Sequence, residues 1–139
     1  MKTVVLIFCL ASIALLGCTS VQTNGSTALN GTWHGPETGR PNAGDCYLII
    51  HGGALSFKAA DPREWYQATF TLRPGAKPPQ LVAVITDCSQ PQYIGKTANA
   101  IYDLNHDQLT LTANEPGNPD FPASFDAPQT RKLVFQRQP

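Results

Sequence analysis

Charge is scarce in this sequence and leans to neither sign: ten Lys and Arg stand against ten Asp and Glu in 139 residues, and charged residues make up only 14% of the chain. Such a balance provides no basic face for nucleic acid and no polybasic segment for an anionic membrane surface, so no nucleic-acid partner is expected. Histidine is as sparse, and His34, His51 and His106 share no spacing with one another or with a cysteine pair. No His-x-Glu-x-x-His, Cys-x-x-Cys or nucleophile-elbow pattern occurs, so no metal, cofactor or catalytic residue is expected, and the chain is not expected to be an enzyme. Asp103 and Asp107 come nearest to paired carboxylates, but Asp103 is expected to point outward between Tyr102 and Leu104 and Asp107 to belong to a turn. Beyond residue 17 no stretch is apolar enough to span a bilayer.

The one long apolar run stands at the start. Lys2 precedes Val4 to Leu16, and the run ends in Leu15-Leu16-Gly17-Cys18, small at the cut with cysteine just after it. That anatomy reads as a signal peptide over residues 1–17. Leu-Leu-Gly-Cys resembles the bacterial lipobox, which implies a diacylglycerol on the Cys18 sulfur and attachment to the membrane by lipid. Thr19 stands where enterobacterial lipoproteins retained in the inner membrane carry Asp, so the expected location is the bacterial cell envelope, with the outer membrane favoured. Residues 18–28 are polar, small and uncharged, and are expected to form a flexible tether.

The remaining residues, 29–139, suffice for one domain with a core of modest size. Of the four cysteines, Cys9 leaves with the signal and Cys18 is lipidated, which leaves Cys46 and Cys88 as a pair in an oxidising compartment. A disulfide between them is expected.

After residue 30 the apolar pattern has period two, and Gly or Pro interrupts almost every candidate helix. Tyr66, Ala68, Phe70 and Leu72 alternate with Trp65, Gln67, Thr69 and Thr71; Leu81, Ala83 and Ile85 continue the pattern, as do Leu109, Leu111 and Ala113. With Gly31 to Pro36, Asp45 to His51, Ala54 to Ala59, Ala98 to Leu104 and Lys132 to Arg137, about eight strands follow one another without long crossovers. The predicted fold is all-β, an antiparallel up-and-down barrel, because closure removes exposed strand edges. Alternate connections then lie at alternate ends. The long ones, above all Asn114 to Thr130, should gather at an open rim, and the tight ones, such as Asn105-His106-Asp107, at a closed base. Cys46 and Cys88 both fall at the rim in this topology, and the tether enters at the base.

Gly31-Thr32-Trp33 on the first strand and Arg137 at the end of the last resemble the Gly-x-Trp and terminal Arg of lipocalin-like barrels. In those folds the arginine covers the indole and closes the base, a role the resemblance implies for Trp33 and Arg137. A longer succession runs through Leu29-Asn30-Gly31-Thr32-Trp33, Lys77-Pro78-Pro79, Ala100-Ile101-Tyr102-Asp103-Leu104, Asp107-Gln108-Leu109, Pro116-Gly117 and Leu133-Val134-Phe135-Gln136-Arg137. It resembles a lipocalin-like bacterial domain family abundant in planctomycetes. Leu81-Val82 and Asn118-Pro119 depart from that family's Ile-Asp and Arg-Pro, and the Cys46/Cys88 pair is an addition to its pattern. The resemblance implies a fold and brings no activity with it.

Two functional expectations follow. A binding barrel would hold a small apolar or amphipathic ligand among Tyr47, Phe57, Tyr66, Phe70 and Tyr102, and would show an interior cavity of a few hundred cubic ångströms. A protein-interaction or inhibitor module of the envelope would instead use rim residues near Trp65, Tyr93, Phe121 and Phe125, over a packed interior.

Overall fold

In the computed structural model, residues 24–38 and 44–139 are described. The expected signal segment, Cys18 and the first part of the tether lie outside them. The described part starts with a short helix α1 (Asn24–Leu29), so the last residues of the segment expected as a flexible tether are helical. Strands β1 (Gly31–Pro36), β2 (Asp45–His51), β3 (Ala54–Lys58), β4 (Trp65–Arg73), β5 (Gln80–Cys88), β6 (Thr97–Asn105), β7 (Gln108–Ala113) and β8 (Arg131–Arg137) follow, with one turn of 3-10 helix at Pro91–Tyr93. Each strand pairs antiparallel with the next, and β1 closes on β8 through Trp33 opposite Arg137 and His34 opposite Gln136. The protein is an all-β, closed, eight-stranded up-and-down barrel.

Alternation dictates which side chains enter. On β2, Cys46, Leu48 and Ile50 are buried while Asp45, Tyr47, Ile49 and His51 are exposed. Hairpins at Gly52-Gly53 and His106-Asp107 and the Pro74–Pro79 connection sit at the base; the 59–64 and 89–96 connections open at the other end. His106 takes a positive φ of 54° at its hairpin tip, a conformation that Asn, Asp and His tolerate better than branched residues.

The base is filled by Trp33, Phe135, Leu109 and Leu29, each almost fully buried. The Trp33 indole N–H donates to the Leu29 carbonyl at 2.9 Å. Arg137 lies over the indole, with Cζ 4.1 Å from the ring centroid. Its Nη1 donates to the Asn30 carbonyl, its Nη2 to the Ala28 carbonyl and its Nε to Asp107. One side chain thus covers the aromatic face and also satisfies carbonyls at the end of α1, which the helix cannot satisfy itself. Gly31 makes room for it: its φ is +142°, and a Cβ there would meet Arg137 Nη1 at 2.8 Å.

Two features depart from the sequence-based picture. At the β4–β5 pair, Gln67 faces Asp87 and Ala68 faces Ile85, so Thr86 is an extra residue that resets the alternation. Ile85 and Cys88 are consequently both buried. The long 114–130 loop, expected at the rim, instead straps down the outer wall of β6 and β7. Asn99 Nδ2 donates to the Asn118 and Pro119 carbonyls, and Thr112 Oγ1 to the Phe125 carbonyl at 3.2 Å. Arg73, at the base end of β4, lies 5.4 Å from the Phe121 ring centroid. Asn99, Ile101 and Thr112 alternate with inward residues and so face outward, yet all three are buried, because the strap supplies a second small core outside the barrel.

Candidate functional site

On β4, β5, β6 and β7 the inward positions that line the space include five alanines, Ala68, Ala83, Ala98, Ala100 and Ala113, beside the larger Tyr66, Leu81, Ile85 and Leu111. The opposite wall carries Leu48, Phe57 and Leu133. Large side chains on one wall cannot fill the space that methyl groups leave on the other. The result is a cavity of about 450 Å³ that opens at the mouth, within the range of small-molecule sites.

Polar groups collect around its entrance. Arg131 opens β8, in phase with the inward-facing Leu133 and Phe135. Its Nη1 donates to Glu64 Oε1 at 2.5 Å and its Nη2 to Glu37 Oε2 at 2.9 Å. Its Cζ also lies 5.0 Å from the Phe57 ring centroid. Burial works against the guanidinium charge, but the Glu64 hydrogen bond and the Glu64 and Glu37 charges outweigh it and raise the Arg131 pKa. Glu64 also accepts from Tyr66 Oη at 3.3 Å, and Tyr66 Oη accepts from Gln90 Nε2 at 3.1 Å. Burial, reinforced by the Glu64 charge, pushes the Tyr66 phenol up to about 12. Tyr93 donates to Glu115 at 2.5 Å, which ties the 89–96 connection to the 114–130 strap across the mouth and raises the Tyr93 pKa. Phe57, Tyr66 and Tyr93 form a tilted aromatic series, with centroids 6.2 Å and 6.5 Å apart.

Of the residues expected to line a ligand site, Phe57 and Tyr66 do so. Phe70 and Tyr102 lie one inward step nearer the base than the lining residues Ala68 and Ala100, and are packed in the core. Tyr47 is corrected outright: it points outward and is 43% exposed, stacked on His34 at 6.2 Å. His34 approaches Asp45 at 3.4 Å on that same outer face. Trp65 is also on the outer wall, whereas Tyr93 is at the mouth and Phe121 and Phe125 belong to the strap. Arg131, Glu37 and Gln90 were missed. The signal for Arg131 lay in β8, whose inward positions are Arg131, Leu133, Phe135 and Arg137, once the strand is started a residue earlier than Lys132.

The expected Cys46–Cys88 disulfide is also corrected: both are buried free thiols. They share the mouth end, but β3 and β4 separate β2 from β5. Three strand spacings of about 4.8 Å put them well beyond the roughly 7 Å Cα separation that a bridge tolerates. Burial raises the Cys46 pKa, and Cys88 Sγ donates to the Gln90 carbonyl at 2.9 Å.

Among the described residues no group of three or more His, Cys, Asp and Glu is placed to hold a metal ion, and no helix is long and apolar enough to cross a membrane. No protein-family model, curated protein or solved structure matches this chain. The functional reading therefore rests on the cavity itself.

Proposed function

We propose that the barrel binds a small apolar or amphipathic molecule in its mouth cavity, and that a lipid on Cys18 anchors it to the bacterial envelope, with the outer membrane favoured. The carrying observation is the 450 Å³ hollow in an otherwise packed barrel, lined by alanines and leucines and ringed by Arg131, Glu64, Tyr66 and Gln90 at its entrance. An apolar wall with a few converging polar groups suits a molecule with an apolar body and one polar end. Native mass spectrometry of the extracted protein tests this directly. A co-purifying small molecule is the expected result, and a protein that neither carries nor takes up any apolar molecule overturns it.

Helix α1 enters at the base, so a lipid preceding it would set the base toward the membrane and leave the mouth facing away. Labelling of engineered surface cysteines in intact cells checks this orientation, and labelling confined to base positions contradicts it.

The outer wall favours a second reading, an envelope interaction module. Tyr47 and Ile49 are 43% and 50% exposed on one strand, and Trp65 shares a groove of about 550 Å³ with Tyr47. The same mass spectra distinguish it, since a partner would appear as a second chain.

A further inference from the structure

Inward side chains of alternate strands stack in layers across a closed barrel, and two such layers decide the depth of the cavity. Leu48, Ala68, Ala100 and Leu133, one each from β2, β4, β6 and β8, line it. One inward step nearer the base, the same four strands carry Ile50, Phe70, Tyr102 and Phe135, all buried in the packed core. Four large side chains thus form a floor beneath a layer in which two of the four positions are alanine. Phe70 follows Ala68 and Tyr102 follows Ala100 toward the base, so these two side chains mark where the space above them ends.

The walls limit what enters as well as how far. Side chains of the lining layer carry no polar atom, so a polar group taken past the entrance would lie there unpaired. Only one end of the occupant can then be polar, and that end stays at the entrance with Glu64, Tyr66, Gln90 and Arg131. At roughly 30 Å³ per water-sized group, a cavity of about 450 Å³ receives about 15 non-hydrogen atoms. One alkyl tail of moderate length fills that volume, whereas the paired tails of a membrane lipid need about twice as much.

On the reading that the cavity binds ligand, we infer that its occupant is a single-tailed amphipath, and that Phe70 and Tyr102 set the length of tail it takes.

The full chain in phosphatidylcholine nanodiscs is titrated with the even-numbered 1-alkanols from hexanol to hexadecanol, with free alcohol measured by dialysis and protein-free discs as blank. Affinity is expected to rise about fourfold per methylene while each added carbon meets apolar wall, and to level off between about decanol and tetradecanol, where the tail reaches the floor. Phe70→Ala deepens the cavity and should carry the levelling point out by about two to four carbons. A levelling point that Phe70→Ala leaves where it was, or a rise unbroken to hexadecanol, overturns this inference and leaves the cavity reading standing. Phosphatidylcholine held by the protein in native mass spectra overturns it in the same way. Failure of every alkanol to bind overturns both. If Phe70→Ala does not fold, Ala68→Val decides: its added methyl groups stand one step above Phe70 and should bring the levelling point in by about two carbons, and no change overturns the inference.

Discussion

Arg137 lies over Trp33, its guanidinium carbon 4.1 Å from the ring centroid, and the same guanidinium holds the Ala28 and Asn30 carbonyls. Barrel floor and entering helix are therefore stabilised by a single side chain. Arg137→Ala removes the cation from the indole face and leaves helix-end carbonyls without their donor, and should lower unfolding free energy by about 2–3 kcal/mol. Arg137→Lys keeps charge but loses the planar fork, and should recover less than half of that. Urea unfolding followed by tryptophan fluorescence measures both.

Closure of the barrel depends on a second contact between the same strands. Gly35 on β1 lies so close to β8 that a Cβ would stand 2.1 Å from the Val134 carbonyl oxygen. That neighbour is backbone within a paired strand and cannot rotate aside. Gly35→Ala should therefore cost about 3 kcal/mol or more by forcing β1 and β8 apart. Thermal unfolding should show the loss, whereas Gly52→Ala, whose added methyl would meet nothing within 4 Å, should show only the backbone strain of a positive φ.

Much of this was legible in residue order. Period-two alternation gave most strands to within a residue, because an inward apolar side chain every second position suits a half-buried strand, but it lost β5 after Ile85, three residues short of its end at Cys88. Gly31, Trp33 and Arg137 could be read because a close approach, an indole and a guanidinium each leave a distinctive residue. The cavity could not be read, since alanine at Ala83 or Ala100 fits a packed wall and a hollow one equally well until the facing side chains are known. Tyr47 was misread for a related reason: an aromatic residue on a strand suggests the interior, yet its neighbours Cys46 and Leu48 already occupy the inward phase. The extra residue Thr86 left no mark either, as a bulge is decided by pairing with another strand.

That bulge bears on the cysteines. It turns Cys88 inward, but it does not bring β5 any nearer to β2. Cys46 and Cys88 should therefore be recovered as unlinked peptides from a digest under non-reducing conditions, and should react with a thiol reagent only when the protein is unfolded, since both are buried. A linked peptide pair would contradict the arrangement of these strands. Substitution of both by serine should leave the fold intact at a cost of about 1–3 kcal/mol from buried hydroxyls.

Tyr66 gives a pH signature. Its phenol is pushed from an ordinary value near 10 up to about 12, chiefly by burial, so the neutral form is favoured in the folded state. That contribution is fully present below pH 10 and is lost as pH rises toward 12, because the unfolded chain then ionises while the folded one does not. Unfolding free energy should fall across this interval, and Tyr66→Phe should flatten the fall. A phenolate titration in the ultraviolet should show the latest-ionising tyrosine disappear in the same variant. Tyr93 and Tyr102 are raised in the same direction, so some alkaline loss should persist.

The alanine wall offers the most direct control over binding. In a close-packed core, exchanging alanine for leucine forces strain of about 1–3 kcal/mol, because no space receives the extra carbons. At Ala83 and Ala100 the space is present, since both face the 450 Å³ cavity. Ala83→Leu with Ala100→Leu should therefore leave stability unchanged or raise it by about 1 kcal/mol through added apolar burial, while removing the volume that a ligand requires. Folding and binding are thereby separated: thermal unfolding should read an intact barrel, and native mass spectrometry should read one without a bound molecule. Should the filled barrel unfold several degrees earlier than the original, the space is not open in solution, and the case for a ligand there fails with it.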